Sequence, residues 1–90
     1  MNLFDKMRSF IEHVTAIEII ISTDGISWST KYDLVFKHIF PDITELGFKV
    51  DWGGDAWGDA SYEDDVRAYY SAVAEKADEF QALIEKIIKS

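Results

Sequence analysis

Asp51, Asp55, Asp59 and Glu63 recur every four residues, and theirs is the first spacing in the chain that suggests chemistry. Carboxylate oxygens suit calcium or magnesium. The order is not that of an EF-hand, which needs carboxylates at loop positions one, three and five and a glutamate at twelve. A repeat of four aligns side chains only on a helix, and Gly53, Gly54 and Gly58 exclude a regular helix there. Calcium binding by this Gly-Asp loop is therefore a distant third reading. No metal site and no cofactor are expected.

Catalysis has less support still. Pro41-Asp42 superficially opens a metal-nuclease motif, but no acid-x-Lys follows, since Lys49 has Gly47 two positions before it. Serine, histidine and aspartate all occur without a nucleophile elbow or matched spacing. His13 and His38 fall in or at the end of helical stretches, where a histidine serves the helix dipole or the surface. The glycine-rich loop is acidic and lacks a following lysine, so it repels phosphate. The chain is not expected to be an enzyme.

The same stretch reads better as a binding surface. Asp51, Asp55, Asp59, Glu63, Asp64 and Asp65 supply carboxylates, and Trp57 and Tyr62 stand among them. Trp57 lies in a glycine-flanked loop with no periodic reason to be buried, whereas Trp52 alternates with polar neighbours and belongs to the core. Aromatic anchors inside a charged rim are typical of interface hot spots, and the charge steers a basic partner.

Charge distribution sharpens this. The net charge is −8. Residues 42–65 hold eight acids against Lys49, or −7, while residues 1–41 carry −1 and residues 66–90 balance. An acidic quarter of this kind argues against direct contact with nucleic acid and for a basic protein partner. Large basic grooves are commonest in nucleic-acid-handling proteins. In size and charge, though in no motif, the chain resembles the small anti-CRISPR and anti-restriction inhibitors and the immunity proteins of nuclease toxins. That likeness implies a non-catalytic inhibitor that mimics nucleic acid and blocks a nuclease or nucleic-acid-binding complex through residues 51–65. The alternative is a homodimeric structural or adaptor module that associates through its C-terminal helix.

The elements that must position this surface follow from periodicity. Ninety residues make one domain, 1–90, with 48% apolar residues and no cysteine. No stretch approaches the ~20 apolar residues of a membrane span, and nothing at the start resembles a signal peptide, so a cytoplasmic location is expected. Val66, Tyr70, Val73, Ala77, Phe80, Ile84 and Ile87 repeat at intervals of four and three, a seam along one long helix capped by Ser61. At ~1.5 Å per residue it is ~40 Å long, more than a globule of this size spans, so it protrudes or is covered by a partner helix. Leu3, Met7, Phe10 and Val14 give that partner, a first helix capped by Asn2 and running to about His13.

Thr15 to Ser22 reads as a strand, because β-branched residues dominate and Ile17, Ile19 and Ile21 alternate with other residues. Asp24-Gly25 signals a two-residue hairpin that pairs Ile21 with Trp28. Ser29 or Thr30 caps a second helix, stopped by Pro41, with one more turn closed by Gly47. Phe48, Val50 and Trp52 alternate as a third strand. The expected fold is α+β in the order α-β-β-α-β-α, a small three-stranded, mainly antiparallel sheet with helices on one face and a long C-terminal helix.

Overall fold

A computed structural model describes residues 1–53 and 61–90. Among the described residues there are four α-helices: α1 over Leu3–Ser22, α2 over Trp28–Leu34, α3 over Phe40–Glu45 and α4 over Tyr62–Lys89. A π-helical turn, Val35–Ile39, joins α2 directly to α3. No strand occurs among the described residues, so the α+β expectation and its three-stranded sheet are overturned.

The correction begins inside α1. The expected helix to His13 runs on to Ser22. Met7, Phe10, Val14 and Ile17 are buried at spacings of three, four and three, and Ile21 continues the series half-buried. The helical period thus runs straight through the β-branched stretch. Propensity is a weak prior, and burial against α4 outweighs it. Asp24-Gly25 does turn the chain, with Gly25 at φ +83°, but it links two helices. Ser27, not Ser29 or Thr30, caps α2, and its hydroxyl accepts the Thr30 N–H at 3.3 Å.

Pro41 does not stop the second helix. It has no N–H, and its ring crowds the carbonyl four residues back. The preceding turn widens instead: the Phe40 N–H bonds to the Val35 carbonyl, five residues back. Helix α3 then continues to Glu45 and is closed by Gly47 at φ +89°. Residues 48–52 alternate as expected, with Phe48, Val50 and Trp52 half-buried and Lys49 and Asp51 exposed, but no strand among the described residues pairs with them.

Helix α4 has 28 residues, begins at the expected cap, and accepts the Asp64 N–H on the Ser61 hydroxyl at 3.1 Å. Helix α1 packs antiparallel along it. Phe10 meets Phe80 edge-to-face at 5.2 Å near one end, and Glu18 reaches Tyr70 toward the other. Phe48 closes on Phe10 and Phe80, and so pins the 48–52 segment over the helix pair. The seam of α4 is Val66, Tyr69, Val73, Ala77, Phe80 and Ile84, with Tyr69 taking the place expected for Tyr70. Ile87 is exposed, beyond the cover that α1 gives.

Candidate interaction surface

The amino end of α4 is built to hold acids. Its first turns expose N–H groups at the positive end of the helix dipole, which favours carboxylates there. Glu63, Asp64 and Asp65 occupy these positions, but they do not form one charged face. Asp65 points inward and is only 7% exposed. Glu63 Oε2 accepts a hydrogen bond from Arg67 Nε at 2.7 Å, one helical turn on. Asp64 is exposed and enters none of the described ion pairs.

Tyr62 is 53% exposed. Its ring stacks on Tyr32 at 5.1 Å, Tyr32 on Phe36 at 4.6 Å, and Phe36 on Trp52 at 5.2 Å. This column of rings links the two described ends of the candidate stretch through Tyr32 and Phe36. Asp51 and Trp52 stand on one flank, Tyr62 and Asp64 on the other. Tyr69 lies beneath, in contact with Phe36, Phe40 and Trp52, and burial pushes its phenol well above the ordinary tyrosine range. Trp52 is half-buried, as the sequence indicates for a core-facing residue.

Asp55, Trp57 and Asp59 lie outside the described residues. The surface therefore consists, so far as it is described, of Asp51, Tyr62 and Asp64, with Glu63 offset by Arg67 and Asp65 turned inside. Tyr32 and Phe36 are the additions that sequence reasoning missed. They fall one turn apart on α2 and the turn after it, and only their ring contacts with Tyr62 and Trp52 reveal them as its support. Beside Asp51 is an open depression of about 240 Å³ that also holds Lys49, Glu75, Lys76 and Glu79. Its lysines offset two of its three acids.

Behind the column, Trp28 is held between two cations. Lys31 Nζ lies 4.5 Å from the ring centre and Arg67 Cζ 5.0 Å from it. These contacts fix α2 against α4 and hold the Glu63–Arg67 pair in place. His13 is not at a helix end. Its Nδ1 is 2.7 Å from the Ser9 carbonyl, and its Nε2 is 3.6 Å from Asp42 Oδ2, which links α1 to α3. His38 is exposed. Among the described residues no three His, Asp or Glu side chains gather where they could hold a metal ion, and no helix is long and apolar enough to cross a membrane. Comparison with family models, curated proteins and solved structures finds no match to this chain.

Proposed function

We propose that the protein is a non-catalytic acidic inhibitor that binds a basic, nucleic-acid-handling protein, with the amino end of α4 and the Asp51–Trp52 flank as contact surface. The observation that carries this reading is the exposed Tyr62 on its aromatic column, with the exposed carboxylate of Asp64 beside it and that of Asp51 at the column's far end, neither of them in a described ion pair. An aromatic anchor of this kind supplies apolar area at low entropic cost, and the carboxylates select a cationic partner and speed its approach. The chain as a whole, at −8, adds long-range attraction to a basic groove. The reading puts the protein in the cytoplasm, where such targets work.

The test is a tagged pull-down from host lysate at low and moderate salt, read by mass spectrometry, with Tyr62→Ala and Asp51→Asn/Asp64→Asn as comparisons. A stoichiometric basic nuclease or nucleic-acid-binding complex, released by salt and weakened by both variants, supports the reading. Recovery of the protein alone sinks it.

One observation favours a second reading, a homodimer through the carboxyl end of α4. Leu83, Ile87 and Ile88 are exposed there, next to the last buried seam residue, Ile84. Solution mass decides it. A dimer converted to a folded monomer by Ile87→Asp supports this module, and a wild-type monomer dismisses it.

A further inference from the structure

A groove runs between α1 and α4 on a face that the sequence did not single out. One stretch encloses about 170 Å³ over an apolar floor of Ile11, Val14, Ala74 and Ala77. The groove has room because α4 presents alanines here, where its neighbours along the seam are the bulkier Val73 and Phe80. Glu18 from α1 and Asp78 from α4 stand on its rim. Neither takes part in the described ion pairs. Tyr70 lines the groove with them, and its phenol is raised by burial, then by Glu18, then by the charge of Asp78. The groove continues past Gln81 into a second stretch of about 230 Å³, where Arg8 stands with Glu12. Negative charge is therefore concentrated at the Glu18–Asp78 end.

We infer that this groove is a second docking site, for an arginine- or lysine-bearing segment of the basic partner. The inference rests on the basic-partner reading and gives it a separate surface. Long basic side chains have an apolar stem and a charged head. The alanine and isoleucine floor takes the stem, and the two carboxylates take the head in charge-assisted hydrogen bonds. A small hydrated cation gains nothing from the apolar floor, and an anion is repelled by the rim. Carboxylates on two helices, held beside an apolar floor by the antiparallel packing, thus match one chemistry.

The experiment titrates the full chain with a hexaarginine peptide and follows backbone amide shifts by NMR. Shifts should cluster at Ile11, Thr15, Glu18, Ala74 and Asp78. Glu18→Gln/Asp78→Asn should weaken the peptide about tenfold, a loss of ~1.4 kcal/mol. Ala74→Phe fills the floor without altering charge and should weaken it similarly. Asp51→Asn/Asp64→Asn should leave these groove shifts unchanged. The two charge variants replace exposed residues, and circular dichroism confirms the fold of all three. Shifts confined to residues 51–65 and lost in Asp51→Asn/Asp64→Asn overturn the groove and leave the basic-partner reading standing. Shifts at neither surface overturn both.

Discussion

Lys31 Nζ donates a hydrogen bond to the Ile21 carbonyl at 2.7 Å, so a side chain of α2 caps the carboxyl end of α1. Helix α1 has no basic residue in its own last turn. Thr23 satisfies the Ile19 carbonyl with its hydroxyl and the Ile20 carbonyl with its N–H, and Lys31 supplies both the next donor and the positive charge that the dipole favours there. The lysine is 6% exposed and lies against Trp28, so its charge is shielded from water but not isolated. Lys31→Met keeps most of the volume and removes the donor. Hydrogen bonds to charged groups contribute ~1.5–3 kcal/mol, and a loss of that size is expected in urea unfolding. An unchanged midpoint would show that the contact is incidental.

Tyr69 and Tyr70 should make stability fall at alkaline pH. In the unfolded chain both phenols titrate near ~10. Folding raises both, Tyr69 by burial and Tyr70 by burial with help from Glu18 and Asp78. Above about pH 10 the unfolded chain has released protons that the folded chain retains, so stability falls as pH rises. Below that range the contribution is complete. Tyr69→Phe removes a titrating group from the core, and the unfolding midpoint should then fall less steeply with rising pH. The same slope in the variant would assign the effect to another group.

The long helix was legible because its signals agree. Ser61 caps it, acids fill its first turn, and Val66, Val73, Ala77, Phe80 and Ile84 mark the seam. Its length also called for a partner of similar extent, and α1 is that partner. The hairpin failed because Ile17, Ile19 and Ile21 fit a period of two while Phe10, Val14, Ile17 and Ile21 fit a helix. Only the continuous face of α4 decides between them. Whether Tyr69 or Tyr70 faces inward depends on small rotations of α4 that spacing cannot fix. At the candidate surface, the acids at the helix start were readable. The inward turn of Asp65 and the stacking of Tyr32 and Phe36 were not, since both depend on tertiary packing. The Glu18–Asp78 groove was hidden for the same reason as the hairpin error, because Glu18 was placed on a strand.

Ile17 and Ile19 separate the helical fold from the strand it replaces. On a strand they would share a face. In α1, Ile17 is buried and Ile19 is 60% exposed. Ile17→Ala should cost ~2–5 kcal/mol, the range for a large side chain deleted from a core. Ile19→Lys should stay within about 0.5 kcal/mol of wild type, as exposed substitutions do. Comparable losses at both positions in thermal unfolding would restore the shared face.

Pro41 shapes the aromatic column from a distance. With no amide hydrogen at position 41, the Lys37 carbonyl has no α-helical donor, and the Val35–Ile39 turn adopts five-residue bonding in its place. That turn spans Phe36 and leads into Phe40, which stack on each other at 5.9 Å and both contact Tyr69. Pro41→Ala supplies the missing N–H and lets the ordinary four-residue pattern return. The helix content should persist, while Phe36 rotates relative to Tyr32 and Trp52. Far-ultraviolet circular dichroism should stay nearly constant and the near-ultraviolet aromatic bands should change. If the aromatic bands stay the same, packing against Tyr69 sets the widened turn and the proline merely tolerates it.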